Sequence, residues 1–187
     1  NPYFEKISQY RDVESLNIFE IKKKEGVPEE EILKILQSKS RDNSRTPVQW
    51  NDSRNAGFTD GTPWIGISGN YQEINAENAV KDPDSIFHHY KKLIALRKEY
   101  DIVTYGNYQL LLENHSEIFA YLRNGEDEKL LVINNFYGRE TVFNLPDSKI
   151  ADEFDAELLL SNYEEGPADI REITLRPYES LIFHLTK

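Results

Sequence analysis

No cysteine and no methionine occurs among the 187 residues. Without cysteine there are no disulfides, no thiolate nucleophile and no Cys-ligated zinc. Without a methionine at position 1 the chain, which opens Asn1-Pro2-Tyr3-Phe4, reads as a processed product or a piece of something larger. Long apolar runs are missing too. Nothing approaches the ~18 residues of a membrane span, and no charged-then-apolar signal segment opens the chain. Basic charge is scarce: 22 Lys and Arg stand against 33 Asp and Glu, a formal net charge of −11. That balance argues against a nucleic-acid partner, because binding to a phosphate backbone rests on clustered cations. With neither a membrane nor nucleic acid as partner, an acidic, soluble, cytoplasmic protein is the expectation. What is present suffices for a core: 39% of residues are hydrophobic and 12% aromatic, unlike a disordered chain.

Two regions differ in pattern, and the expected division is 1–103 and 104–187. The first mixes helices with a long polar stretch. Asp12 caps a helix whose Val13, Leu16 and Ile21 are expected to face inward. Lys22, Lys23 and Lys24 suit its negative end, and Gly26 stops it. Pro28 starts a second helix, with Glu29, Glu30 and Glu31 in its first turn and Ile32, Leu33, Ile35 and Leu36 as its apolar face. Residues 38–83 show little periodicity yet hold both tryptophans, Trp50 and Trp64. They read as an ordered excursion that shapes a site. Asp82 or Asp84 then caps a helix over 84–99, where Ile86, Phe87, Tyr90, Leu93 and Ile94 recur at helical spacing. The second region offers seven short strands, at 108–112, 118–123, 130–136, 141–145, 156–160, 173–175 and 181–185. Turn residues separate them, with Asn124-Gly125 as a hairpin between the second and third. The fold class expected is α+β, with an antiparallel β-sandwich at its C-terminal end.

Few residues offer chemistry by themselves. The histidines, His88, His89, His115 and His184, have no metal-ligand spacing, so no metal or cofactor is implied. There is no Gly-x-Ser-x-Gly and no Gly-rich phosphate loop. Paired carboxylates could cleave glycosides, but with 33 acids nothing local singles out a pair, and no catalytic residue is nominated. The unusual stretch is Ser40-Arg41-Asp42-Asn43-Ser44-Arg45-Thr46-Pro47-Val48-Gln49-Trp50. Arginine offers a planar fork of donors suited to carboxylates or to adjacent sugar hydroxyls. Trp50 could lie against a sugar face. The plainer alternative is a surface turn in which Arg and Asp pair with each other.

These residues carry a resemblance. Tyr10-Arg11-Asp12-Val13-Glu14-Ser15-Leu16-Asn17, the 40–50 stretch, Asn55-Ala56-Gly57-Phe58, Pro63-Trp64, Asn70-Tyr71-Gln72-Glu73-Ile74-Asn75 and Leu175-Arg176-Pro177-Tyr178-Glu179 occur in order. Together they resemble the α-glucosidase branch of glycoside hydrolase family 13 across essentially the whole chain. Val48 departs from the family's usual methionine. The resemblance implies the end of a (β/α)8 barrel, namely the long loop after strand 8 and helix 8, followed by the β-domain. Such barrels take ~250 residues, more than this chain supplies. It implies a retaining α-glucosidase whose catalytic carboxylates lie in motifs absent here, so the chain alone is expected to be inactive. It implies that Arg45, and less directly Arg41, contacts an α-glucoside substrate. Within the branch, 38–45 and the two Gly-Asn-Tyr-Gln segments at 69–72 and 106–109 look closer to the trehalose-6-phosphate hydrolases than to the oligo-1,6-glucosidases. A phosphorylated substrate would draw on Lys39 and Arg41. The competing class is a non-catalytic carbohydrate-binding module. The apolar face of the 84–99 helix implies self-association or packing on the β-domain.

Overall fold

A computed structural model describes residues 1–187. The chain forms two compact units, Asn1–His88 and His89–Lys187, each described by itself.

In the first unit, α1 (Val13–Lys24) begins at Asp12, whose carboxylate accepts the Ser15 backbone N–H at 3.1 Å. It ends in three lysines, and Gly26 follows with φ +84, the left-handed geometry that glycine adopts at helix stops. Its partner α2 (Glu29–Lys39) starts after Pro28 with three glutamates in the first turn. The inward face of α1 is not the expected one. Ser15 and Phe19 are buried, while Val13, Leu16 and Ile21 are exposed. The reason is the Ser15 hydroxyl, which bonds both Asp12 and Ser40. That fixes the rotation of α1, and Phe19 follows one turn later on the same face. Phe19 joins Phe4, Tyr10, Ile65 and the α2 residues Ile32, Leu33 and Leu36 in one core. Burial of each large apolar side chain there contributes about 1.5–3 kcal/mol.

Residues 40–83 hold short 3-10 turns at Arg41–Ser44 and Arg54–Gly57 and a helix that periodicity does not reveal, α3 (Ala76–Lys81). Asn75 caps α3, accepting the Asn78 N–H at 2.9 Å. The helix α4 (Ile86–Glu99) follows Ser85, whose hydroxyl accepts the His88 N–H at 3.4 Å, so serine stands where an aspartate cap was expected. No residue of α4 is buried, and Ile86 is 87% exposed.

The second unit contains a short helix, α5 (Ile102–Tyr105), and seven strands within two residues of their expected bounds. They are β1 (Asn107–Leu111), β2 (Ile118–Asn124), β3 (Glu128–Asn135), β4 (Thr141–Asn144), β5 (Asp155–Ser161), β6 (Glu172–Leu175) and β7 (Ser180–Thr186), with a helical turn α6 (Lys149–Glu153) before β5. A five-stranded sheet runs β1-β2-β3-β7-β5 and a smaller one pairs β4 with β6, every pair antiparallel. Phe143 and Leu175 of the small sheet share a core with Leu131, Ile133, Leu181, Phe183 and Leu185 of the large one. This is the expected sandwich. The β2–β3 connection differs from an Asn-Gly hairpin. Asn124 still pairs with Lys129, and the Gly125 N–H bonds the Glu128 carbonyl. Gly125 lacks the positive φ that a two-residue type I′ turn needs, so the loop widens.

On the sheet's opposite face, Ile102 of α5 packs with Leu130 and Val132, and Val103, Tyr121 and Ile182 lie against them.

Candidate functional site

The singled-out stretch is anchored by a closed ring of buried polar groups. The Asp12 carboxylate takes the Ser15 N–H and hydroxyl. The Ser40 hydroxyl donates to Ser15 Oγ at 2.8 Å, and Ser40 Oγ accepts the Asp42 N–H at 3.2 Å. Asp42 Oδ2 returns to the start, accepting the backbone N–H groups of Arg11 at 2.6 Å and Asp12 at 2.9 Å. All four side chains are buried, Asp42 completely. Ser40 also ends α2 and caps the 3-10 turn Arg41–Ser44. The loop is therefore fastened to the start of α1 by hydrogen bonds that few solvent molecules can reach.

This geometry overturns the plain pairing of Arg with Asp inside the turn. Asp42 pairs with neither arginine. Arg41 reaches Glu14 at 2.8 Å, both side chains being well exposed, and such a pair contributes little. Arg45 lies 3.7 Å from Asp12. Its guanidinium makes no hydrogen bond to the protein and is 44% exposed, while Asp12 is buried. A buried carboxylate thus holds the charge in place and leaves a fork of N–H donors unspent. Lys39, the other cation considered, is exposed on the last turn of α2 and has no ion-pair partner. Arg11 is spent locally, donating to the carbonyls of Ser8 and Tyr10.

Burial pushes the Asp12 carboxyl upward, but the Ser15 hydroxyl and N–H, with the Arg41 and Arg45 charges, outweigh it and hold the group below its ordinary value. A carboxyl with a depressed folded pKa contributes stability that is complete above its unfolded value of about 4 and is lost as pH falls through the folded value. Acidification from pH ~5 to ~2 is therefore expected to loosen the 41–45 loop. The amide exchange of Ser15 and Arg45 measures it. Asp12→Asn, which still caps a helix, should flatten that pH dependence; an unchanged profile would remove Asp12 as its source.

Trp50 is set by a second device. Asn55 and Ala56 have φ +54 and +55, and Gly57 has φ +67, so three successive residues are left-handed. Such a conformation costs roughly 1–2 kcal/mol per non-glycine residue, and it is retained here with Ala56 fully buried. The turn aims the Ala56 carbonyl back, where it accepts the N–H groups of Trp50 at 2.8 Å and Asn51 at 3.3 Å. The Trp50 carbonyl in turn accepts from Glu77 at the start of α3. A Cβ at position 57 would lie 2.6 Å from the Asn51 side chain, so a larger residue there would add backbone strain and displace the Asn51 carboxamide. The Trp50 ring is half exposed, as are Phe58 and Trp64.

No three His, Asp or Glu side chains are placed to hold a metal, and no helix is long and apolar enough to cross a membrane. Sequence reasoning found Arg41, Arg45 and Trp50 but not the groups that fix them. Asp12 was visible only as a cap. Glu14, Ser15, Ser40 and Asp42 gave no signal beyond their place in the motif.

Comparison with known proteins bears on this site. Residues 8–106 match the family model described as the alpha amylase catalytic domain, and residues 118–182 match the alpha-amylase SusG C-terminal domain. The trehalose-6-phosphate hydrolase of Bacillus subtilis is 58% identical over the whole chain, and the oligo-1,6-glucosidase of Bacillus cereus is 51% identical over 99% of it. The crystal structure of the trehalose-6-phosphate hydrolase of Bacillus licheniformis superposes on all of the chain with a TM-score of 0.96 at 61% identity. The chain spans 33% of the length of each of those curated relatives and 34% of the crystallised one.

Proposed function

The chain belongs to the α-amylase family, glycoside hydrolase family 13, and from that premise we propose that it is the C-terminal part of a retaining α-glucosidase that hydrolyses trehalose 6-phosphate to glucose and glucose 6-phosphate. On this reading residues 1–103 end the catalytic barrel and 104–187 form its β-domain. The observation that carries the proposal is the Arg45 guanidinium, charge-held by buried Asp12 at 3.7 Å with its donors unspent. It would hold the terminal glucose, with Arg41 as the second contact. Arg41 and the free Lys39 are the cations available to a phosphate. The higher identity to the Bacillus subtilis hydrolase, 58% against 51% for the Bacillus cereus oligo-1,6-glucosidase, favours the phosphorylated disaccharide over isomalto-oligosaccharides. A cytoplasmic location belongs to the same reading, because a phosphorylated sugar carries a charge that membranes retain.

No catalytic carboxylate is assigned to this chain. The pure 187-residue protein is therefore expected to release no glucose from trehalose 6-phosphate or isomaltose. Joined to the first two thirds of the Bacillus subtilis relative, it should hydrolyse trehalose 6-phosphate in preference to isomaltose. Turnover by the chain alone, or the opposite preference, would overturn the proposal. Calorimetry of the chain alone with glucose, isomaltose and trehalose 6-phosphate addresses the binding-module alternative, which requires saturable binding.

A further inference from the structure

At one end of the sandwich the inner face of the large sheet and α6 stand apart, leaving an open cavity of about 330 Å³. Its floor is apolar, with Leu111 of β1 and Leu122 of β2 facing Ile150 and Phe154. Its cations are placed by register. Leu131 of β3 and Leu185 of β7 point into the core. Lys129, two residues before Leu131, and Lys187, two residues after Leu185, therefore project from the same inner face. They are diagonal neighbours across the β3–β7 pair. Both ammonium groups lie over the Phe154 ring, 5.2 and 5.5 Å from its centroid. Neither forms an ion pair, and nor does Lys149, which also lines the cavity. In a chain of net charge −11 carboxylates are plentiful, yet none is spent on these lysines. Like charges held side by side repel, so the arrangement suits an anion from outside the chain.

The remaining lining describes the rest of that anion. Lys129 Nζ donates to Asn124 Oδ1 at 2.8 Å, and Asn124 Nδ2 donates to Gln109 Oε1 at 3.0 Å. This relay fixes Lys129 and leaves the Gln109 amide nitrogen unspent at the cavity. Asp147 and Glu153 line the cavity as well, Asp147 being held by the Lys149 backbone N–H at 3.1 Å. These carboxylates would repel a second acidic group but accept from hydroxyls. We propose that the cavity is a binding site for a phosphorylated monosaccharide. Its phosphate sits with Lys129 and Lys187, its hydroxyls meet Asp147, Glu153 and Gln109, and its C–H face rests on the apolar floor. The volume lies at the small end of ligand sites, roughly 300–1,000 Å³, which suits one ring and its phosphate. Bare phosphate would leave the floor and the carboxylates unused, and a neutral sugar would leave the lysines unpaired. The ligand class follows from this lining alone; the choice of glucose 6-phosphate as probe rests on the proposed function, in which it is a product.

Calorimetry of the 187-residue chain reads binding without turnover. Glucose 6-phosphate should bind saturably, and at least about tenfold more tightly than glucose or inorganic phosphate, since each of those lacks one half of the contacts. Lys129→Met, which keeps an unbranched stem over Phe154, and Lys187→Gln, which lies beyond the last strand, should each weaken binding by about tenfold, the worth of one charge-assisted hydrogen bond. Lys34→Gln on α2, whose ammonium pairs with Glu30, should change nothing. Absence of saturation overturns the proposal. Unchanged binding in Lys187→Gln does so too, even if Lys129→Met fails to fold. Glucose binding as tightly as its phosphate would make this a neutral-sugar site, and inorganic phosphate binding as tightly would make it a plain anion site; either refutes the class assigned. Binding lost in Arg45→Ala but kept in both lysine variants would move the ligand to the 41–45 loop and refute the site. No readout here involves hydrolysis, so a joined enzyme that prefers isomaltose would overturn the proposed function and leave this site standing.

Discussion

Glu179→Ala is expected to destabilise the sandwich by about 3 kcal/mol, because it strips the Arg176–Glu179 turn of its buried central acceptor. Glu179 is 2% exposed and opens the turn into β7. Its Oε2 accepts the Arg176 backbone N–H at 2.7 Å, and its Oε1 accepts the Arg176 guanidinium. The backbone bends sharply here, with Tyr178 at φ +56, a conformation that persists only when its surroundings over-determine it. They do so from several sides. Buried Asn135 donates to the carbonyls of Arg139 and Arg176, and its own N–H bonds the Glu179 carbonyl. Asn162 donates to the Tyr178 carbonyl, and the Tyr163 hydroxyl to that of Pro177. Tyr163 also lies 4.0 Å beneath the Arg176 guanidinium. Glu179→Gln keeps an acceptor but turns an amide N–H toward a guanidinium, so it should fall between the parent and alanine. Urea unfolding followed by the far-UV sheet signal measures both. A midpoint unmoved by alanine would show that the turn is held without this carboxylate.

The strands were legible because each carries its own evidence: alternating apolar residues and a turn residue at each end. The inward face of α1 was not, although the helix was. Val13, Leu16 and Ile21 are the more apolar set, yet Ser15 sets the rotation through Ser40, 25 residues away. Composition cannot report a hydrogen bond between two serines so distant in sequence. The same applies to Asp42, whose bonds to Arg11 and Asp12 span 31 and 30 residues. Adjacent Arg and Asp in a turn suggest a local pair, and only the fold shows that the carboxylate is drawn inward by backbone donors. Arg45 was nameable from its motif, but its partner Asp12 was legible only as a cap.

Asp42 should therefore respond to substitution in an order that a surface carboxylate would not show. Asp42→Ala removes the acceptor for two backbone N–H groups, one of them on buried Asp12. Leaving such donors unpaired costs about 1–3 kcal/mol each, so a loss of about 3 kcal/mol is expected in the unit that holds both tryptophans, read by their fluorescence during unfolding. Asp42→Asn behaves differently. Its Oδ1 carboxylate oxygen is buried without a hydrogen-bond partner, as is the hydroxyl of Tyr10. Asparagine can keep one oxygen on the Arg11 and Asp12 N–H groups while removing a buried charge. Its stability should match the parent within about 1 kcal/mol, because a buried unpaired charge is the costlier arrangement. The Tyr10 phenol supplies an independent check. Its pKa is raised by burial and, secondarily, by the Asp42 charge, so Asp42→Asn should lower it. A phenol that titrates as before would place the charge elsewhere. If asparagine proves as damaging as alanine, the negative charge itself is needed, and the ring that positions Asp12 beneath Arg45 would be an electrostatic device and not a set of backbone hydrogen bonds.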